Sequence, residues 1–382
     1  MISTATRLVA SIAFGLGGLM NTATAGSLAC GQWPEWDSFA ATFVESSGRV
    51  IDPTSAQTTS EGQSYGLLFS LIGNDQPHFE KMLRWAENNL SQGDLTAHLP
   101  AWRWGKRTDG SYGVLDANSA TDGDLWIAYA LIEAGRLWHR PQYTALGTVL
   151  ASRILREESI SLQGFGTVLL PAPIGFKAAD GTVRLNPSYL PLQVLRRLAN
   201  TATGEAKKDW FQQVDRSRAV ILASAPHGFV PDWIAYQTTT GFSADKDSAA
   251  VGSFDAIRTY LWVGMLAVDD PARRELMQAV RPMLNLVERN GAPPLRVDTR
   301  NARTDAIGDA GFSAALLPLL KIAKRNEAVR LQRARITARA PLSHKDNYYE
   351  QALTLFGLGW SDGRYQFDRN GALKVRWTCS DH

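Results

Sequence analysis

The stretch NSATDGDLWIAYALIEAG, residues 118–135, decides the fold class because its apolar residues recur at the spacing of an α-helix. One face of that helix carries two acids and two aromatic residues, Asp122, Trp126, Tyr129 and Glu133. Asp124 falls roughly 200° around the helix axis from Asp122, so the two aspartates cannot enter one cleft together. The stretch therefore predicts a helix with one acid available to a ligand and the other turned into the protein.

The same 3.6-residue periodicity dominates the rest of the chain, and alternating strand-like runs are scarce. It predicts twelve helices, near residues 34–47, 62–73, 76–91, 119–138, 141–156, 188–201, 206–223, 249–266, 270–290, 309–324, 327–340 and 346–359. No repeated motif indicates a solenoid, and no Pro/Ser/Gly-rich linker divides the chain. We expect an all-α fold with a single domain over residues 26–382, although a length of 382 residues alone would suggest two.

Composition excludes several classes of function. Forty basic and 37 acidic residues give a formal charge of +3 and are spread along the chain, so no nucleic-acid partner is indicated. The sequence contains no HExxH motif and no Cys/His cluster, and its two G-x-S-x-G matches, GQSYG at 62–66 and GWSDG at 359–363, lie at the start and the end of predicted helices and not at a strand-to-helix turn. We therefore expect neither a metal or other cofactor nor a serine nucleophile.

The N-terminus has the features of an export signal. Arg7 precedes an apolar run over residues 8–20, and Ala23-Thr24-Ala25 fits an A-x-A cleavage site. The run is too short to span a bilayer, and no later segment has the pattern of a membrane helix. Residues 1–25 are predicted to be a signal peptide that sends the protein across the inner membrane, to a periplasmic or extracellular location without membrane insertion.

The sequence contains two cysteines, Cys30 and Cys379, near the two ends of the mature chain. In an oxidising compartment we expect one disulfide, which requires that the two ends meet. Two unpaired thiols are the alternative.

Three acidic residues are candidates for chemistry. Glu61 lies in TTSEGQSYG, residues 58–66, Asp122 in the stretch quoted first, and Asp255 three residues before Arg258 in SFDAIRTYLWVGM, residues 253–265. Each also has an ordinary explanation. Glu61, Asp122 and Asp124 would be favoured in the first turn of a helix by its dipole, and Asp255 with Arg258 would form an ordinary i,i+3 ion pair.

These stretches, with LPAWRWGK at 99–106, NPSYLP at 186–191 and PDW at 231–233, resemble glycoside hydrolase family 8, most closely endoglucanases encoded with bacterial cellulose synthases. The resemblance runs from CGQWPEWDSF, which begins at Cys30, to SDGRYQF, which ends at Phe367. It implies an (α/α)6 toroid of six inner and six outer helices. It also implies hydrolysis of internal β-1,4 bonds of cellulose or carboxymethylcellulose with inversion, with the cellulose synthesis and export machinery as a further partner.

The resemblance also implies the roles of the acids. Glu61 corresponds to the general acid, Asp255 to the general base, and Asp122 to an aspartate that holds the sugar beside the scissile bond. Phe254 departs from the family pattern, which often has tyrosine there. If Glu61 begins a helix, the dipole lowers its pKa, which is the wrong direction for an acid. We therefore expect Asp122 to lie close to Glu61 and keep it protonated, and Arg258 to keep Asp255 ionised.

A glucan would bind by stacking its sugar rings on aromatic side chains and by hydrogen bonds from planar polar groups. The aromatic candidates are Trp102, Trp104, Tyr189 and Trp233, and the polar or supporting candidates are Asn118, Asp124 and Arg258. For any one of the tryptophans, packing in the core is an equal alternative. A polysaccharide lyase on a similar toroid and a glucan-binding protein without activity remain the competing interpretations.

Overall fold

The computed structural model describes residues 33–339 and 347–378. The predicted signal peptide and both cysteines, Cys30 and Cys379, lie outside the described residues. Within the described ranges, no helix combines the length and the apolar character that a membrane crossing requires.

Thirteen α-helices account for most of the described chain. They are α1 Pro34–Phe43, α2 Ser60–Ile72, α3 Gln76–Leu90, α4 Thr121–Leu137, α5 Pro141–Glu157, α6 Leu192–Thr201, α7 Gly204–Ser224, α8 Ala256–Gly264, α9 Arg273–Ala279, α10 Arg281–Asn290, α11 Ala310–Ile322, α12 Asn326–Ala338 and α13 Tyr348–Ser361. Every one of the twelve predicted helices has a counterpart. The predicted helix at 270–290 is divided into α9 and α10 because Pro282, in the first turn of α10, cannot continue a preceding helix.

The helices form an inner and an outer ring. Six of them, α2, α4, α6, α8, α11 and α13, are buried over all or most of their surface. Each packs against an outer partner that is buried along one face, namely α3, α5, α7, the α9–α10 pair, α12 and α1. The inner helices contact one another in sequence order from α2 to α6 and from α8 to α13, and the 3-10 turn Pro187–Tyr189, just before α6, packs against α8. Phe356 of α13 closes the ring against Tyr65 and Phe69 of α2.

Aromatic rings fill the middle of the inner ring. Trp126 of α4, Trp262 of α8 and Phe356 of α13 meet with ring centroids 5.2 to 5.7 Å apart. All three are almost completely buried. The toroid is therefore a packed core, and a ligand can enter it at an end of the ring but cannot pass through.

Thirteen short strands within the described ranges form five small antiparallel sheets, which the helical periodicity did not predict. They are β1 Thr58–Thr59, β2 Arg103–Lys106, β3 Tyr112–Asp116, β4 Ser159–Leu162, β5 Gly166–Leu169, β6 Val183–Leu185, β7 Ile234–Gln237, β8 Gly241–Ala244, β9 Val251–Gly252, β10 Pro294–Asp298, β11 Arg303–Ile307, β12 Tyr365–Phe367 and β13 Leu373–Val375. Their orders are β1-β2-β3, β11-β10-β9, β12-β13, β4-β5 and β6-β7-β8. Four of the sheets lie in the connections between helices and the β12-β13 hairpin follows α13, so the fold remains an all-α toroid.

Candidate active site

The three candidate acids lie at the N-termini of three inner helices. Glu61 is the second residue of α2, Asp122 is the second residue of α4, and Asp255 immediately precedes α8. Because the inner helices run in the same direction, their N-termini meet at one end of the toroid. The structure thus brings together residues that are up to 194 positions apart in the sequence.

A glycine allows α2 and α4 to approach closely enough for Glu61 and Asp122 to interact. A Cβ atom added to Gly123 would lie 2.7 Å from Ser60 Oγ and 2.9 Å from the backbone nitrogen of Glu61. No side chain larger than hydrogen therefore fits at position 123 without moving one of the helices. Glu61 raises the pKa of Asp122 by charge repulsion, as expected for carboxyl groups so placed.

Burial keeps Glu61 and Asp122 from ionising as ordinary carboxyl groups do. It is the largest cause that raises the pKa of Glu61 above its usual value, and Oε2 of Glu61 is buried without a hydrogen-bond partner among the described residues. Burial, with the neighbouring Glu61 next in size, also raises the pKa of Asp122 well above its usual value. The predicted proximity of the two acids is therefore present, while desolvation contributes more than repulsion.

Arg258 connects the acids. Its Nη2 donates to Asp255 Oδ1 at 3.1 Å, to Ser188 Oγ at 3.0 Å and, more weakly, to Asp122 Oδ2 at 3.5 Å. The sequence predicted the pairing with Asp255 and missed the contacts with Asp122 and Ser188. Burial lowers the pKa of Arg258, but nearby Tyr349, Tyr65, Asp255 and Asp122 outweigh it, so the guanidinium remains charged.

Two tyrosines at the start of α13 belong to the site, although the sequence did not indicate them. Tyr349 accepts a hydrogen bond from Arg258 Nη1 at 3.1 Å and donates to the carbonyl oxygen of Phe254 at 2.6 Å. The Tyr348 hydroxyl is buried, lies near Gly62, and has its pKa raised first by burial and then by Glu61. Both tyrosines lie in the first turn of the last predicted helix, 346–359. Their position beside the acids depends on closure of the ring, which the sequence pattern does not reveal.

An aromatic wall extends from the acids to the surface. The Arg258 guanidinium lies over the ring of Tyr189 at 5.8 Å, and Tyr189 contacts Trp233 at 6.3 Å. Trp233 stacks on Phe176 with centroids 5.6 Å apart and planes within 8°. Tyr189 and Trp233 are thus brought to the site as predicted, and Phe176 is a member of the wall that the sequence analysis missed.

Trp102 and Asn118 border the site on another side. The Trp102 carbonyl oxygen accepts from the N–H of Ser60, beside Glu61, and the Trp102 N–H donates to the carbonyl oxygen of Asn118. The Asn118 side chain donates to the carbonyl oxygen of Ile174 at 2.8 Å, which ties together two loops at this end of the toroid. Both positions are compatible with the predicted contact with substrate.

Trp104 and Asp124 are placed differently from the other predicted substrate-binding residues. The ring of Trp104 packs against Trp85 of the outer helix α3 and against Tyr112, under the guanidinium of Arg49. Asp124 is completely buried and shares a hydrogen bond with the carboxyl group of Glu158. Asp124 therefore faces the opposite side of α4 from Asp122, as its position on the helix predicted, and of binding and support, the two roles for which it was a candidate, its burial fits support of the fold.

The arrangement can supply a carboxylic acid, a carboxylate and a cation within one partly closed cleft. Glu61 has a raised pKa, while Asp255, whose side chain is 29% exposed, is paired with a guanidinium. Among residues 33–339 and 347–378, no group of His, Cys, Asp and Glu side chains is arranged to hold a metal ion. Two carboxyl groups in different environments are the requirement of acid-base hydrolysis.

Comparison with known proteins places the chain in a family. The model of "Glycosyl hydrolases family 8" matches residues 15–363. Endoglucanases of Xanthomonas axonopodis pv. citri (strain 306) and Escherichia coli O157:H7 are 44% and 42% identical; the alignments cover 91% and 90% of this chain and 90% and 91% of theirs.

A solved structure agrees with these relatives. The endo-1,4-D-glucanase of Vibrio fischeri ES114 is 42% identical and superposes with a TM-score of 0.83 over 91% of this chain and 100% of that one. The predicted toroid is therefore confirmed. With the family model matching from residue 15 to residue 363, the chain belongs to family 8 of the glycosyl hydrolases.

Proposed function

We propose that the protein is an endo-1,4-β-glucanase that hydrolyses internal bonds of cellulose and of carboxymethylcellulose with inversion at the anomeric carbon. The observation that carries this proposal is the contrast between two carboxyl groups at one end of the toroid. Glu61 is desolvated and has a raised pKa, whereas Asp255 pairs with Arg258 at 3.1 Å. The endoglucanase activity named for relatives of 42% to 44% identity supports the same reaction.

In this mechanism, Glu61 protonates the oxygen of the leaving sugar and Asp255 activates a water on the opposite face of the ring. An inverting enzyme separates these two carboxyl groups by about 6.5 to 9.5 Å, which leaves room for the water. No covalent intermediate forms. Asp122, held between Glu61 and Arg258, grips the sugar beside the scissile bond, and burial and then the charge of Glu61 raise its pKa.

Substrate binding relies on the aromatic wall. Sugar rings present flat C–H faces, which pack against the rings of Tyr189 and Trp233 on one side of the acids and Trp102 on the other. Asn118 and Arg258 supply hydrogen bonds to hydroxyl groups. An open row of such platforms suits a long chain that is cut internally.

The cellular setting is part of the proposal. Residues 1–25 act as a signal peptide, so the mature enzyme works in the periplasm or outside the cell, where it meets glucan during cellulose synthesis and export. The pattern of Arg7, the apolar run and Ala23-Thr24-Ala25 supports this placement.

The test is hydrolysis of carboxymethylcellulose by the wild type and by Glu61→Gln, with the anomeric form of fresh product followed by NMR. We expect the wild type to release reducing ends in the inverted α form and the variant to lose almost all activity. Glu87→Gln, on the outer helix α3, is the control and should behave as the wild type. Full activity in Glu61→Gln would overturn the acid, a retained anomer would overturn inversion, and an unsaturated product absorbing in the ultraviolet would indicate a lyase.

A further inference from the structure

The side chain of Asp232, which is not one of the three candidate acids, holds the backbone around Asp255 by hydrogen bonds. Oδ1 of Asp232 accepts hydrogen bonds from three backbone N–H groups: Ser253 at 2.8 Å, Asp255 at 3.1 Å and Ala256 at 2.7 Å. Helix α8 has no capping bond from its own N-cap side chain, which is Asp255 itself. Asp232 therefore performs the capping from a distant loop and leaves the carboxylate of Asp255 free for other contacts.

The loop that carries Asp232 is fixed from three directions. The Val230 N–H donates to the hydroxyl of Tyr260 in α8 at 2.8 Å, and the Asp232 N–H donates to the carbonyl oxygen of Val251 at 2.8 Å. Position 252 must be glycine, because an added Cβ would lie 2.1 Å from the Val230 carbonyl oxygen. These contacts press residues 230–232 against the segment that precedes α8, so Asp232 has little freedom to move away.

Asp232 is also adjacent to the substrate wall. The next residue, Trp233, stacks on Phe176 and contacts Tyr189, which lies under Arg258. Two successive residues thus have different roles: Trp233 is part of the aromatic wall, and Asp232 holds the end of α8 that carries Asp255.

We infer that Asp232 is a positioning residue for the hydrolytic water: through Oδ1 it holds the backbone at the start of α8 and so fixes the place of Asp255 in the cleft. This inference rests on the proposed function. Capping by an ionised carboxylate is stronger than capping by a neutral group, since a charged acceptor roughly doubles the strength of a hydrogen bond to N–H.

Several charged and titratable groups surround Asp232. Asp255 and Arg258 face it from the side of α8, and its charge acts on the hydroxyls of Tyr260 in α8 and Tyr349 in α13. Burial is the largest cause that raises the pKa of Asp232, the N–H groups of Ala256 and Ser253 oppose it, and Asp255 raises it further. Asp232 and Asp255 thus repel each other across the same helix end.

The experiment compares Asp232→Asn and Asp232→Ala with the wild type in full pH–rate profiles on carboxymethylcellulose, with melting temperature measured alongside. Asparagine keeps an oxygen acceptor and loses the charge. We expect kcat to fall about tenfold, because a neutral acceptor holds the three N–H groups more weakly than a carboxylate does. Alanine also loses the acceptor, and we expect kcat to fall about 100-fold with KM changed less than about threefold, because the base is displaced while the wall remains.

Asp309→Asn is the matched control, because Asp309 caps the neighbouring inner helix α11 through the Phe312 N–H at 3.0 Å. It should leave kcat and both limbs unchanged. An Asp232→Asn profile that superimposes on that of the wild type, with kcat within about twofold, would overturn the inference, whether or not Asp232→Ala folds. A wild type without glucanase activity would overturn the proposed function as well, so the two failures are distinguishable.

Discussion

At the scale of single residues, Glu61 is subject to opposing influences. Its place in the first turn of α2, where Thr59 Oγ1 already caps the Gly62 N–H, favours the ionised carboxylate, as does Arg258. Burial acts in the other direction and is the larger effect, so the pKa of Glu61 is raised. Because Asp122 is also desolvated, the two carboxyl groups titrate as a pair, and a pH–rate profile reports the pair.

The substitution Asp122→Asn tests this pairing. It removes a carboxyl group beside Glu61 and leaves an amide of the same shape, so charge repulsion no longer favours a protonated Glu61. We expect the alkaline limb of kcat/KM to move to lower pH by about 1 unit, together with a loss of activity from the weaker grip on the sugar. The measurement is the pH–rate profile between pH 4 and 10.

The control for this experiment is Asp37→Asn, on the exposed face of the outer helix α1, which should leave both limbs in place. An Asp122→Asn enzyme whose alkaline limb coincides with that of the wild type would show that burial alone sets the proton on Glu61.

At the scale of helices, the crossing of α2 and α4 determines whether the acids can interact. Gly123→Ala places a methyl group 2.7 to 3.0 Å from atoms of Ser60 and Glu61, two of which belong to the backbone. The helices must separate, and we expect a loss of about 1 to 3 kcal/mol in the free energy of unfolding. Activity should fall by more than tenfold even at temperatures where the variant is folded, since about 1 Å of misplacement can cost 100-fold.

Gly66→Ala, in the other helix of this crossing, α2, is the matched control. Its added methyl group would lie 2.8 Å from Met82 Sδ and 2.9 Å from Val50 Cγ2, both side-chain atoms away from the acids. We expect it to lose stability but to keep kcat. Equal losses of kcat in the two variants, measured with urea denaturation and initial rates, would contradict a specific role for the crossing.

Behind the site, α4 and the end of α5 share a pair of buried acids. Asp124 and Glu158 share a hydrogen bond, and Ser119 donates to Glu158, while the Thr121 hydroxyl donates to the carbonyl oxygen of Leu170. Burial raises the pKa of Glu158 to about 7 and that of Asp124 well above its usual value, to which Glu158 also contributes. Such a pair holds a proton that the unfolded chain releases, so its contribution to stability is complete below about pH 4.5 and is lost as the pH rises through about 7.

Glu158→Gln removes this loss, because the amide donates to Asp124 without needing a proton. We expect the variant to unfold like the wild type near pH 4.5 and to be more stable at pH 8 by about 1 to 3 kcal/mol. Chemical denaturation at the two pH values measures the difference. Glu157→Gln, at the neighbouring partly exposed position, is the control; an identical pH dependence in the wild type and Glu158→Gln would exclude a shared proton.

Helices and acids could be predicted from the sequence, because periodicity and short motifs are local. The start of the predicted helix at 249–266 was wrong by seven residues, since Val251 and Gly252 pair with β10 and α8 begins at Ala256. The strands escaped prediction because two to five residues are too few to establish a period of two. Asp232, Tyr349 and Phe176 could not be assigned, because their roles depend on contacts between residues tens to more than a hundred positions apart.

At the scale of the whole molecule, the buried carboxylate of Glu133 joins the C-terminal hairpin to the inner helices at the end of α4 that is opposite the acids. Glu133, at the far end of α4 from Asp122, is completely buried and accepts from Arg136, from Arg197 of α6 and from the Leu373 N–H of β13. A buried carboxylate with two guanidinium partners cannot lose one without leaving a charge uncompensated. The C-terminal hairpin is thereby attached to two inner helices, which fixes the last part of the described chain against α4 and α6.

Both ends of the described chain meet at α2, which bears on the two cysteines. The ring of Trp33 contacts Phe69 at 6.0 Å, and the indole of Trp377 donates to the carbonyl oxygen of Leu71 at 3.1 Å. Trp33 follows Cys30 by three residues and Trp377 precedes Cys379 by two, so the requirement that the ends come together is met by their described neighbours.

We therefore expect a disulfide between Cys30 and Cys379 in protein prepared from an oxidising compartment. Peptide mapping without reductant should recover a linked pair of peptides, and reduction should lower the free energy of unfolding by up to about 5 kcal/mol, since the bond closes almost the whole chain into a loop. Cys30→Ser with Cys379→Ser is the control, because its stability should match that of the reduced wild type and no longer respond to reductant. Two free thiols in the oxidised wild type, titrated after denaturation, would contradict the bond. The two ends of the chain would then be held together by the contacts of Trp33 and Trp377 alone.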